Sequence, residues 1–232
     1  MKLQATSSLS NDVHRKVYGH SVEHVIRAPG RINLIGEHVD YLDGRVLPMA
    51  INKELTMGVS GNARGRCRIW SEFARGEPVE VDLTSLAPHD GEESWLNYII
   101  GVLAILREEE TFSELPSFDA TITSDIPAGA GLSSSAALET ATSLAVEALL
   151  GVRLDSVHRA RICQKAEHQY ANVPCGIMDQ LAVGCSIADH ALLLDCSDLS
   201  IRPVPIPEDV AFVVADTQVK HALSDGEYRM RR

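Results

Sequence analysis

The sequence predicts an α+β fold, strand-rich in its first third and increasingly helical after it. Three observations carry that expectation. Runs rich in Val, Ile and Leu, broken by Gly, Asn and Asp, crowd residues 22–83. Apolar residues three and four apart mark helices from residue 94 onward. The two types do not alternate regularly, and no repeat, low-complexity tract or flexible linker interrupts them.

Taken in order, residues 22–35, 46–59, 66–72 and 77–83 read as strands, with Asp43-Gly44 as the turn between the first two. Residues 94–109 read as a helix, because Trp95, Tyr98, Ile99, Val102, Leu103 and Leu106 share one face. A strand at 118–126 follows, then a helix over 133–150 that Gly151 ends. Its core stripe is expected from Leu138, Ala141, Leu144, Ala145, Ala148 and Leu149. A helix over 155–171, a third starting near Gly176, and strands at 190–195 and 210–216 complete the reading.

Composition narrows the function. The chain has 232 residues, 45% hydrophobic and 23% charged, which is ordinary for a globular protein. Its net charge of −11 argues against nucleic acid or an anionic membrane as the main partner. A bound anion therefore needs local help from a basic side chain, a metal ion or a helix N-terminus. The five cysteines form no CxxC pair and read as reduced thiols of a cytoplasmic protein. No signal-peptide-like start and no run of about 18 apolar residues is present.

Three segments carry chemistry. The first, RAPGRINLIGEHVDYLDGRVLPMAI, brings Arg31, Glu37, His38 and Asp40 into an otherwise apolar stretch. Strand alternation puts Arg31 and Asn33 on one side, with Ile32 and Leu34 on the other. Gly36 then lets the chain turn, so that Glu37, His38 and Asp40 can point at one spot. Such a set suits a ligand rich in hydroxyls, such as a sugar, although a self-bonded polar turn explains the residues equally well.

The second, SDIPAGAGLSSSAAL, ends a strand, turns on Gly129 and Gly131, and opens a helix with three serines. A glycine turn feeding a helix N-terminus makes a phosphate cradle. It lacks the Lys of a P-loop and the third glycine of the dinucleotide fingerprint, and a merely capped helix is the competing reading. The third, PCGIMDQ, places Asp179 in the first turn of a helix whose positive end favours a carboxylate. Glu167, in the helix before it, reads by default as a solvated surface group.

Together these segments resemble galactokinases. GRINLIGEHVDYLDGRVLPMAI is similar to the galactokinase signature, and PAGAGLSSSAAL to the phosphate-binding motif of the wider GHMP small-molecule kinases. CGIMDQ and the terminal GEYRMRR follow in the same order as in that family. The resemblance implies a GHMP-kinase N-terminal domain of ribosomal protein S5 domain 2-like fold over residues 1–205. Residues 206–232 would begin a second, ferredoxin-like α+β domain.

The resemblance implies transfer of the γ-phosphate of ATP to the anomeric hydroxyl of galactose. Arg31, Glu37, His38, Asp40, Gly176, Asp179 and Tyr228 would hold the sugar, with Asp179 as base and Arg31 as stabiliser of the transferring group. Gly129, Ala130, Gly131, Leu132, Ser133, Ser134 and Ser135 would wrap the triphosphate, while Ser135 and Glu167 held Mg²⁺. Trp95, Asn97 and Tyr98 would flank the adenine. The partners implied are galactose and ATP, with no nucleic acid or membrane, and a monomer at full length. Galactokinases continue into a C-terminal domain with another glycine-rich motif, which does not occur before Arg232. A kinase for a related sugar and a silent sugar- and ATP-binding fragment or regulator stay open as alternatives.

Overall fold

The structure is a computed structural model describing residues 2–74, 76–127 and 129–215. It opens with helix α1 (Lys2–Tyr18), followed by strands β1 (His24–Asn33), β2 (Arg45–Val46), β3 (Pro48–Gly61), β4 (Arg66–Ser71) and β5 (Val79–Asp82). A 3₁₀ turn (Gly91–Leu96) leads into α2 (Asn97–Arg107), then β6 (Phe118–Ser124), α3 (Ser134–Leu150) and α4 (Ser156–Ala166). A π turn (Glu167–Ala171), α5 (Met178–Cys185), β7 (His190–Asp195) and β8 (Ser200–Pro205) follow, and two further short 3₁₀ turns lie at Asp40–Leu42 and Glu110–Phe112.

Two sheets result. The larger has strand order β1-β3-β6-β4-β5, antiparallel except where β4 runs parallel to β6. The smaller is β2-β7-β8. The main core lies between the large sheet and the helices. Met57, Val59, Ala120 and Ile122 join Ile99 and Leu103 of α2 and Ala137 and Ala141 of α3 within one buried cluster. A smaller cluster of Val46, Leu181, Leu192 and Leu194 joins α5 to the small sheet.

Side chains alternate across a strand, so Ser60 and Thr121 point to the face opposite the core. There α1 docks through His14, whose ring bonds Thr121 Oγ1 at 3.2 Å and Ser60 Oγ at 2.9 Å.

The structure corrects the sequence reading at several places. Helix α1 is not anticipated, because its docking residues are polar. The expected strand 46–59 is divided: β2 pairs with β7, and β3 pairs with β1 and β6. Strand β8, SIRPVP, escapes a sequence reading because two prolines argue against a strand; it sits at the edge of its sheet, where proline is tolerated. Residues 210–215, expected as strand, adopt none, and Val213 is 93% exposed. Residue 216 and Tyr228 lie outside the described residues. Helix α3 is buried on nearly every side, including Glu139, Thr140, Thr142, Ser143 and Glu147, whereas Leu144, Ala148 and Leu149 of the expected stripe are half-buried.

Candidate active site

β1 delivers Arg31 and Asn33 to one end of the large sheet. Its register shifts between Pro29 and Arg31, and the Arg31 amide donates to Leu132 O at 3.1 Å, fastening the glycine–serine loop against the strand. The chain then reverses at Gly36, whose φ is +102°; a β-carbon there would lie 2.6 Å from Arg45 O. His38 also adopts a left-handed conformation, with φ +59°. This reversal brings Glu37, His38 and Asp40 together with Arg31, Asn33 and Asp179 around one cleft of about 290 Å³. Asn33 Nδ2 donates to Glu37 Oε1 at 3.4 Å, while Asn33 Oδ1 is buried without a protein partner.

Asp179 lines the same cleft. Arg31 Nε donates to Asp179 Oδ1 at 2.8 Å and Arg31 Nη2 to Oδ2 at 2.7 Å, a two-pronged, charge-assisted pair. Arg31 Nη1 donates to Gly131 O at 2.6 Å, so one guanidinium touches both the carboxylate and the glycine–serine loop.

Ser133 adds a third bond, its hydroxyl donating to Asp179 Oδ2 at 2.6 Å. Ser133 occupies the N-cap position of α3 in a left-handed conformation, yet its side chain makes no capping bond. The first-turn N–H groups of α3 therefore face the loop with the cap hydroxyl directed elsewhere, which suits an anionic ligand.

Gly176 and Asp40 are in closer contact than any side chain would permit. A β-carbon on Gly176 would sit 1.8 Å from Asp40 Oδ2. The Asp40 carboxyl is held above its ordinary range by burial and by the nearby Asp179 charge, against the lowering effect of the Met178 amide.

Glu167 is not the solvated group expected by default: it is 2% exposed. Burial and the Asp179 charge push its carboxyl upward, while Cys175, Ser135 and Gln180 donate to it. Beside it lies Glu139, fully buried and raised well above its ordinary range by burial and then by Glu167. Gln180 Nε2 bridges the two, at 2.7 Å from Glu167 Oε2 and 3.2 Å from Glu139 Oε2. Sequence reasoning misses Glu139 and Gln180. The available signal is a carboxylate directly after Leu138, on a helix whose neighbouring positions are all apolar or small.

No group of three or more His, Cys, Asp or Glu among the described residues is arranged to hold a metal alone. One carboxylate and a hydroxyl already in contact do fit Mg²⁺, which takes few protein ligands and completes its shell with water and phosphate oxygens. Glu167 and Ser135 are such a pair.

Ser134 and Ser135 also line a second cavity, of about 400 Å³, walled by Phe73, Trp95, Tyr98 and Leu138. Two of the three residues expected to flank an adenine are thus here. Asn97 is not: its amide is engaged with the backbone of residue 89, donating to His89 O at 2.9 Å and accepting from His89 N at 2.7 Å. Among the described residues, no helix is long and apolar enough to cross a membrane.

The chain is similar to known proteins over most of its length. The galactokinase galactose-binding signature matches residues 12–61, and the GHMP kinases N terminal domain matches residues 97–186. A galactokinase of Streptomyces coelicolor is 44% identical over 99% of this chain and 59% of its own length. A galactokinase of Canis lupus familiaris is 38% identical over 94% of this chain and 56% of its own. The chain thus spans a little over half the length of the relatives it matches.

A crystal structure of Lactococcus lactis galactokinase complexed with galactose superposes with a TM-score of 0.79 at 33% identity, covering 88% of this chain and 52% of that one. Methanococcus jannaschii mevalonate kinase shares the fold, with a TM-score of 0.65 at 18% identity over 78% of this chain and 55% of its own. Signature, domain match and superposition point the same way: over nearly its whole length the chain is similar to galactokinases, and it carries matches to the galactokinase galactose-binding signature and the GHMP kinases N terminal domain.

Proposed function

We propose that the protein phosphorylates galactose, transferring the γ-phosphate of ATP to the anomeric hydroxyl to give galactose 1-phosphate and ADP. The observation that carries this reading is the Arg31–Asp179 pair, which lines one cleft with Glu37, His38 and Asp40 and is hydrogen-bonded to the glycine–serine loop. Glu37, His38 and Asp40 accept and donate hydrogen bonds to sugar hydroxyls, and Gly176 keeps Asp40 in place. Tyr228 is assigned to the same sugar site from the sequence.

Asp179 takes the proton of the attacking hydroxyl as the new O–P bond forms and the bond to ADP breaks. A carboxylate held by a guanidinium is a weak base, so Arg31 must share the work by neutralising charge on the oxygen and the transferring group. The loop 129–135 and the α3 N-terminus hold the phosphates, and Trp95 and Tyr98 wall the adenine cavity. Ser135 and Glu167 would hold Mg²⁺, which would supply neutralisation of phosphate charge.

On this reading residues 1–205 form the sugar- and ATP-binding domain and 206–232 open a second. The protein acts in the cytoplasm and, at full length, as a monomer. A coupled ADP-release assay on this chain, with Mg·ATP and a panel of monosaccharides, tests it. Release stimulated by galactose, with product phosphorylated at the anomeric oxygen, supports the reading; stimulation by another sugar alone would reassign the substrate.

A further inference from the structure

Three helical elements meet at a polar cluster beneath the phosphate loop, and neither Glu139 nor Gln180 lines the sugar cleft or the adenine cavity. Glu139 comes from α3, Glu167 from the π turn that follows α4, and Gln180 from the first turn of α5. Glu139 and Gln180 are both 0% exposed. The single Gln180 amide nitrogen serves both carboxyls and also lies 3.8 Å from Cys175 Sγ. Gln180 Oε1 is buried without a hydrogen-bond partner, and the raised Glu139 carboxyl lies in hydrogen-bonding contact with Glu167 as well as with Gln180.

As a structural core this arrangement is poor, because apolar side chains of similar volume would fill it without stranding an acceptor. Its geometry suits another purpose. The π turn starts at Glu167, and such turns recur where a helix must re-aim a side chain at a functional site. Gln180 is the next residue along from Asp179, so whatever fixes its amide also fixes the helix end that carries the base.

We propose that Glu139 and Gln180 are positioning residues: Glu139 anchors the Gln180 amide, and that amide aims Glu167 at Ser135 while setting its separation from Asp179. This rests on the reading of Glu167 and Ser135 as the magnesium-holding pair. Partners of this kind, placed behind a metal-holding carboxylate, change metal affinity about 10- to 100-fold when removed.

The test is calorimetric binding of ATP to this chain with Mg²⁺ and with EDTA, alongside galactose binding and thermal unfolding. Glu139→Met keeps the volume and removes the acceptor; Glu139→Gln keeps an acceptor. The expected result is that Glu139→Met loses about tenfold or more of the Mg²⁺-dependent gain in ATP affinity, with galactose affinity unchanged, while Glu139→Gln stays within about threefold of wild type. Gln180→Met provides the second variant, with the same expected loss, should Glu139→Met fold poorly.

Folded variants that keep the full Mg²⁺ gain would overturn the proposal and leave the magnesium reading standing. Equal losses in Glu139→Gln and Glu139→Met, tracking a lowered unfolding temperature, would reduce both residues to packing. Wild-type ATP binding indifferent to Mg²⁺ would remove the magnesium reading and this proposal with it.

Discussion

Arg31 and Asp179, 148 residues apart in sequence, meet through two hydrogen bonds of 2.8 and 2.7 Å, and Ser133 adds a third to the same carboxylate at 2.6 Å. Replacing the carboxylate by an amide keeps the shape but removes the proton acceptor. Asp179→Asn is therefore expected to lower turnover by at least about 100-fold while galactose affinity changes by less than about tenfold. Arg31→Ala is expected to act on turnover more than on sugar affinity. Steady-state ADP release paired with calorimetry separates the two, and near-normal turnover by the amide variant would remove Asp179 from the chemistry.

The contact between Gly176 and Asp40 leaves no room for a methyl group, with a β-carbon placed 1.8 Å from the carboxylate oxygen. Gly176→Ala must push Asp40 out of the sugar cleft or shift the turn before α5. Galactose affinity should fall at least about tenfold, roughly the loss of one charge-assisted hydrogen bond, while ATP affinity is kept. Equal galactose affinity in the variant would show that Asp40 is not a sugar contact.

Docking of α1 should depend on pH. His14 is fully buried, and burial, followed by the neighbouring His20 charge, lowers its pKa from 6.5 to about 4; Asp119 opposes this and Arg68 adds to it. Tyr18 packs against the same ring, and Ser60 and Thr121 bond it from β3 and β6. A histidine whose folded pKa is depressed takes up its proton more readily once released. The stabilisation is complete above pH 6.5 and is lost as pH falls from 6.5 toward about 4. The loss should reach about 3 kcal/mol at most. Urea unfolding across that pH range measures it, and a His14→Gln variant should lack the His14 contribution.

Behind α3, Arg159 Nε and Nη2 grip Glu147 at 2.7 and 2.8 Å, with both side chains nearly inaccessible to solvent. Removing one partner strands the other's charge. Arg159→Met is expected to cost about 3–5 kcal/mol, and the double variant Arg159→Met/Glu147→Leu less than the single. Chemical denaturation of the three proteins decides this, and a double variant no more stable than the single would contradict the stranded-charge account.

Much of the fold is legible because its residues obey local rules. β3, β4 and β6 show strand patterning, α2 shows helical spacing, and Gly151 takes the left-handed conformation that ends α3. The convergence of Glu37, His38 and Asp40 follows from Gly36 at the end of a strand. Other parts are hidden for physical reasons. Among its described side chains α1 docks through the buried Ser10 and His14, and the helix as a whole is poor in apolar residues, so little in its sequence marks it. Glu139, Glu167 and Gln180 look like surface residues until three helical elements close over them. Residues 210–215 have the apolar pattern of a strand, but strands form only where a neighbour supplies hydrogen bonds.

The sugar loop is tied at its two ends to different sheets. β1 leads into it from the five-stranded sheet, and β2 leaves it into the three-stranded one, pairing Arg45 with Asp195 and Val46 with Leu194, while the Cys196 amide bonds Gly44 O at 3.1 Å. During synthesis, a ribosome-bound chain that has exposed only its first half would therefore own every acidic residue of that loop and still lack the clamp that shapes it. The final shape of that loop should then arise late, after residue 196 has emerged.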